Sequence, residues 1–461
     1  MKILKFNIFS LFLAGALLMV SCEQQLEEVL PTNALAPETV TTAADVERLL
    51  IGIYDGVQNG GTAVGVGVGL YYLSFLTEDL SADNLAFRAT FFQHGEIDDN
   101  TINVENVLVQ RYWLGPYVAA ARSNDLLGII DNLDASEFSG DRKNEIIGEA
   151  RYLRALSYFR LVSLFGGVPI LTVNTIEKVP RDSEDAVWAF IESDLDAAIA
   201  SASDFTSSFF VSNDAARALR ARVALIRGDY ALAATLSEEV IASGNWELAP
   251  DYAAMWTPAS AGGPDNREMI LEMTSNLNDG TFFGFFLTDG TQPFGNGGRL
   301  ELPADETLVA AYEPGDTRFA ATIDQTFVRP GFSQVIKFSA GLNGDDPYPV
   351  SRIAEMYLIS AEAAAFRDSD PSSGLDRLNE VRVIRGLAPL VAPADLESWL
   401  DIVLQERRIE LAIEGHRWQD LRRTGRAIDV LPNVTSSDQL LYPIPQSELD
   451  VNDQLNQNPG Y

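Results

Sequence analysis

Cysteine, histidine and lysine are nearly missing from this 461-residue chain, which holds one cysteine, two histidines and five lysines. A lone cysteine, Cys22, excludes an intrachain disulfide and any cysteine-built zinc site. His94 and His416 lie far apart in sequence, which excludes a multi-histidine metal centre and the helix-borne motif of metalloproteases. Basic runs are also missing. With 33 basic against 66 acidic residues the formal net charge is −33, so a duplex or an anionic bilayer is repelled, and nucleic acid is excluded as a main partner. No Gly-x-Ser-x-Gly elbow, phosphate-binding loop or dinucleotide fingerprint occurs. The basic residues are 28 arginines to five lysines; beside the acid excess, this imbalance carries an expectation of salt adaptation.

What is present is globular: 46% hydrophobic and 21% charged residues, too apolar for disorder and too polar for many membrane spans. The first 21 residues read as an address. Lys2 and Lys5 precede an apolar run from Phe6 to Val20, too short to cross a bilayer comfortably, and the run ends in Met19-Val20-Ser21-Cys22. This resembles a bacterial lipoprotein signal, with Cys22 acylated (diacylglycerol plus a palmitate-type chain) as the new N-terminus; the alternative is a plain secretory signal. Residues 22–40 then form a lipidated tether, and 41–461 a single domain. The uncharged stretch Val57–Thr77 is too glycine-rich for a membrane helix and reads as a loop entering a new helix near Leu70.

Helical periodicity dominates the domain. Ile146, Ala150, Leu153, Ser157, Leu161 and Leu164 recur at three and four, until Gly166-Gly167 and Pro169 end the run. Asp214 is placed as the N-cap of a helix through Leu225; Gly228-Asp229-Tyr230 then turns into a second helix, the pattern of a tetratricopeptide unit. Such a unit cannot bury its own face, so neighbours are expected: repeat-like pairs at about 145–243 and 352–428. Two stretches, at about 55–115 and 246–350, are richer in Gly, Pro, Asn and aromatics, with strand-like pieces at Met269–Met273 and Gln334–Phe338. The expected fold is mainly α: a tetratricopeptide-like helix-pair scaffold with loop-rich, minor-β insertions carrying the ligand site.

Several segments together resemble the SusD/RagB-like nutrient-binding lipoproteins of the bacterial outer membrane. They are Thr42–Tyr54, Glu149–Ile170 (EARYLRALSYFRLVSLFGGVPI), Ala218–Ile241, Arg267–Met273, Asp316-Thr317-Arg318, Arg352–Ala364, Leu378–Leu387, Glu406–Asp420, Leu441–Pro445 and Asn456–Tyr461, in family order. Thr317 stands where the family has proline. The resemblance implies four repeat-like helix pairs, attachment to the outer membrane through lipidated Cys22 facing the cell exterior, and a SusC-like, TonB-dependent β-barrel transporter as partner. It also implies capture of an oligosaccharide, or of a peptide, with no chemistry and no cofactor.

The candidate ligand residues come from composition, because no binding residue transfers by motif. Sugars stack their apolar faces on rings while short polar side chains engage the hydroxyls. That mixture occurs around Tyr71, Tyr72, Asp83, Asn84, Phe87, Arg88 and Phe91, and again at Phe282 and Phe283 in the run Phe282-Phe283-Gly284-Phe285-Phe286. Trp113, Trp246 and Trp256 are read as structural. An acidic surface disfavours polyanionic glycans unless Arg88, Arg299 and Arg329 gather at the site. Asp98-Asp99-Asn100 and Gly344-Asp345-Asp346 lack EF-hand spacing, so Ca²⁺ is not expected.

Two other functions compete. Glu406, Glu410 and Glu414 at four-residue spacing offer carboxylates for a surface glycoside hydrolase. Interleaved arginines favour ion pairs instead, Arg407 with Glu410 and Glu414 with Arg417, locking the last helix pair to the frame. A repeat-type scaffold that binds only proteins is the third reading.

Overall fold

A computed structural model describes residues 39–59, 70–273, 283–290, 298–338 and 344–461. Cys22 and the whole N-terminal address lie outside them. Among the described residues no helix is long and apolar enough to cross a membrane.

The chain is mostly helical. Helices α1 (Ala43–Asn59), α2 (Leu70–Ser81), α3 (Phe92–Asp98), α4 (Val107–Ile130), α5 (Arg142–Phe165), α6 (Glu184–Ser201), α7 (Asn213–Ile226) and α8 (Tyr230–Ala242) build the first half. Helix α9 (Phe283–Leu287) belongs to the second insertion, and α10 (Ile353–Asp368), α11 (Leu375–Ile384), α12 (Leu396–Glu410) and α13 (Arg417–Arg423) close the frame.

Local chemistry sets these boundaries. Ser183 Oγ accepts from Ala186 N–H at 3.2 Å to start α6. The start of α7 is two residues earlier than expected: Ser212 caps it through Ala215 N–H at 3.1 Å, leaving Asp214 inside, where it pairs with Arg217. Gly228, at φ +76°, makes the left-handed turn that only glycine adopts cheaply, and Asp229 then caps α8 through Leu232 N–H at 3.0 Å. The crossing of α5 and α6 is so close that a Cβ on Gly148 would lie 2.5 Å from Ala202 N.

Helix α5 is buried on nearly every side because α4 and α6 cover it from both flanks. Its polar groups are therefore paired inside: Arg154 donates to both oxygens of Asp194 on α6 at 2.7 and 2.8 Å. Each array helix packs on its chain neighbours, until α8 packs on α10. Residues 246–350 are thus an insertion between two touching helices. It is fastened by strands β1 (Met269–Met273) and β2 (Tyr348–Arg352), antiparallel and wholly buried. The expected strand at Gln334–Phe338 is reduced to a single bridge, Val335 with Ile323. Its side chains explain why: Gln334 turns in to Asp324 at 3.3 Å and Lys337 to Glu414 at 2.6 Å, while β2 takes the pairing edge of β1.

A buried ionic centre joins insertion to frame. Arg352, where β2 enters α10, donates to Glu268 at 2.7 Å, Glu410 at 3.1 Å and Glu414 at 2.8 Å. Arg385 reaches Glu268 at 2.6 Å and Glu410 at 2.9 Å, and Arg318 reaches Glu406 at 2.6 Å and Glu410 at 3.0 Å. Burial alone would raise the Glu410 pKa; Arg385, Arg352 and Arg318 outweigh it and hold the carboxyl well below the usual range. Burial lowers Lys337 to about 8, against the opposing pull of Glu414. The glutamates at 406, 410 and 414 are ion-paired, but over long range. Arg407 turns to Asp420 at 2.8 Å, and Arg417 to Asp83 at 2.7 Å, so the expected local pairs do not form.

Candidate functional site

Two irregular segments meet on one side of the array. Residues 85–88 run antiparallel to 301–304, through Ala86 N–H to Pro303 O at 3.0 Å and Arg88 N–H to Glu301 O at 2.9 Å. Residues 298–302 in turn bond α9, through Arg299 N–H to Phe285 O at 2.7 Å and Leu302 N–H to Phe286 O at 2.9 Å. The approach is tight: a Cβ on Gly298 would fall 2.3 Å from Thr288 O. Backbone pairing thereby delivers side chains from both segments to one face.

The face centres on His94. Its ring is buried under three others, Phe91 at 5.2 Å, Phe286 at 5.1 Å and Phe87 at 6.4 Å, the first two edge-on. Its Nδ1 lies 3.8 Å from Glu301 Oε2, beyond hydrogen-bond reach. Phe91 and Phe92 are 37% and 64% exposed; a second exposed pair, Phe209 and Phe210, lies in the segment that leads into α7. Around Phe91 and Phe92 stand Arg88, Arg299 and Arg329, all exposed. Shared neighbours link them: Arg299 forms a backbone bridge with Asp289, whose carboxylate lies 3.8 Å from Arg329 Nη1, and the Arg88 backbone N–H donates to Glu301 O. Such a face offers ring surface for stacking and guanidinium N–H groups for hydrogen bonds, the two elements of sugar recognition.

The other candidate residues are placed differently. Phe87 is half-buried, its ring 3.0 Å from where a Gly95 Cβ would be, and supports His94 from below. Asp83 accepts from Arg417 Nε and Nη2 at 2.7 and 3.0 Å; burial opposes its ionisation, but Arg417 and Arg408 hold its carboxyl below the usual range. Asn84 is buried, donating to Asp79 at 2.5 Å and accepting from Arg408 at 2.9 Å. In this conformation these two tie residues 79–84 to α12 and α13 and present nothing to a ligand. Burial pushes the Asp79 carboxyl up to about 7, against the hydrogen bonds it accepts from Asn84 and from Gly415 N–H. Phe283 has no exposed surface: it stacks on Tyr348 at 4.8 Å and 8° and on Phe338 at 4.8 Å and 27°. The side chains of Tyr71 and Tyr72, and Phe282 entirely, lie outside the described residues.

Sequence reasoning missed His94 and Glu301 as members of this face, and within the run Phe282–Phe286 it singled out Phe282 and Phe283 rather than Phe285 and Phe286. The helical turn at Phe283–Leu287 points Phe285 away from buried Phe283, while Phe286 reaches the His94 ring at 5.1 Å. Trp113, Trp246 and Trp256 are buried, as read. Asp98 accepts from Phe87 N–H at 3.0 Å and Asn100 donates to Ser81 O at 3.0 Å, which commits that loop to the backbone. Among the described residues no group of three or more metal-ligating side chains comes together.

An array of helix pairs that holds an aromatic face on its insertions defines a helical-repeat binding scaffold. More specifically, the chain belongs to the SusD/RagB-like family: the SusD family model matches residues 326–431 and 424–461, and the model described as starch-binding, associating with outer membrane, matches 28–225. SusD-like protein P2 of Formosa agariphila is 25% identical, covering 98% of this chain and 99% of its own. A SusD-like protein of Bacteroides ovatus is 23% identical over 67% of this chain and 64% of its own. Among solved structures, a laminarin-binding SusD-like protein superposes with TM-score 0.78 at 26% identity, covering 91% of this chain and all (100%) of its own. Surface glycan-binding protein A from Bacteroides fluxus does so with TM-score 0.78 at 22% identity over the same 91%.

Proposed function

We propose that this protein captures oligosaccharides at the cell surface and passes them to a SusC-like, TonB-dependent transporter in the outer membrane. In this reading acylated Cys22 anchors the chain, and the insertions present the His94-centred face to the ligand. The observation that carries the reading is the exposed Phe91–Phe92 pair, held beside three open arginines by backbone pairing between two insertions. The 26%-identical relative whose name records laminarin binding supports a glycan over a peptide. Binding proceeds without chemistry: Glu406, Glu410 and Glu414, the carboxylates of the hydrolase reading, are each tied to buried cations.

A panel of oligosaccharides and peptides screened by thermal shift tests this, because a ligand of the folded state raises the melting temperature by mass action. A shift with a glycan class, weakened about tenfold in affinity by Phe91→Ala, is expected from the loss of a stacked ring. Release of reducing sugar during incubation would instead restore the hydrolase reading.

A further inference from the structure

Most arginines of this chain pair with carboxylates, on the surface as well as in the core; on the candidate face Arg88 does not, and Arg299 and Arg329 make one such contact each, at 3.3 and 3.8 Å, while staying exposed. Arg88 has no ion pair among the described residues; its guanidinium donates only to the carbonyl of Phe87, at 2.8 Å. Arg299 is 65% exposed, lies 5.1 Å over the Phe285 ring, and touches a carboxylate only through Nη1, at 3.3 Å from buried Glu301. Arg329 is 47% exposed and lies 3.8 Å over the Phe332 ring, with Asp289 at 3.8 Å. A guanidinium laid on a ring keeps its N–H edge free and pre-oriented, and that edge matches a carboxylate or sulfate ester in two-pronged fashion. Carboxylates stand beside them, Glu301 at 3.3 Å from Arg299 and Asp289 at 3.8 Å from Arg329, but each meets its arginine at one edge only and leaves the rest of the exposed guanidinium to solvent.

Resting on the glycan-capture reading above, we infer that this face selects anionic oligosaccharides, with acidic groups on the arginines and sugar rings on Phe91 and Phe92. Uronate and sulfate ester share the chemistry; the probes separate them.

The test uses the full-length chain in mild detergent and calorimetric titration with an oligogalacturonide, a sulfated galactan oligosaccharide and laminarihexaose. At least one anionic probe is expected to bind about tenfold or more tighter than laminarihexaose, as charge-assisted contacts imply. The preference should shrink several-fold in R88Q, R299Q and R329Q, at unchanged melting temperature, and again when NaCl is raised from about 50 to about 500 mM. All three side chains are exposed, so these variants should fold. Laminarihexaose binding as tightly as either anion, with Phe91→Ala sensitivity, would overturn the anionic assignment and leave glycan capture standing. An anionic preference unmoved in all three variants would overturn the arginines' role. Binding of no probe would overturn the glycan-capture reading and this inference with it.

Discussion

Arginine serves two opposite purposes in this molecule, in the ionic centre between insertion and frame and on the His94-centred face. In the centre, Arg318, Arg352 and Arg385 are at most 1% exposed and each meets at least two carboxylates. On the face, Arg88, Arg299 and Arg329 are open to solvent and lean on backbone or rings. The difference is one of desolvation. A buried guanidinium must be matched almost atom for atom, whereas an exposed one stays hydrated until a ligand arrives. The centre is therefore where substitutions cost stability, and the face is where they cost recognition.

The largest expected effect breaks the buried half. Glu410→Gln removes the charge shared by Arg318, Arg352 and Arg385, and denaturant unfolding should show a loss of about 3–5 kcal/mol. Asp83→Asn probes a residue that composition assigns to the ligand and the structure to Arg417 and Arg408. It should cost about 2 kcal/mol of stability, the scale of a charge-assisted bond, and leave glycan affinity unchanged. An affinity loss without a stability loss would return Asp83 to the ligand.

A pH comparison sharpens the same contrast. Glu272 on β1 is buried, with no cation partner among the described residues; burial pushes it to about 7, while Ser208, its hydroxyl 2.6 Å away, pulls it down. A carboxyl raised on folding favours the protonated state, so its stability contribution is full below about pH 4.5 and lost as pH rises through about 7. Glu272→Gln should therefore match the parent near pH 4.5 and exceed it by about 1–2 kcal/mol at pH 8. The smallest effect concerns the surface as a whole. With a net charge of −33, added NaCl should raise the melting temperature by a few degrees through screening, and a flat response would remove the salt-adaptation expectation.

Much of the frame was legible because helix pairing leaves periodic marks. The stripe from Ile146 to Leu164 and the turn at Gly228 are local signals, and local packing used them. Long-range matters were not legible. The Glu406–Glu414 ladder looks self-paired along one helix, yet its partners are Arg318, Lys337, Arg352, Arg382 and Arg385. At the face, composition found Arg88 and Phe91 but not the depth of each side chain. Asn84 and Phe283 have sugar-binding chemistry and lie in the interior, whereas a lone histidine with no motif holds the rings together.

The central claim is that ligand settles where residues 85–94 meet residues 283–290 and 298–302. Hydrogen–deuterium exchange with and without saturating glycan tests it most directly. Protection confined to residues 85–94, 283–290 and 298–302 is expected. Protection of the helix-pair array, with these segments unchanged, would contradict the account.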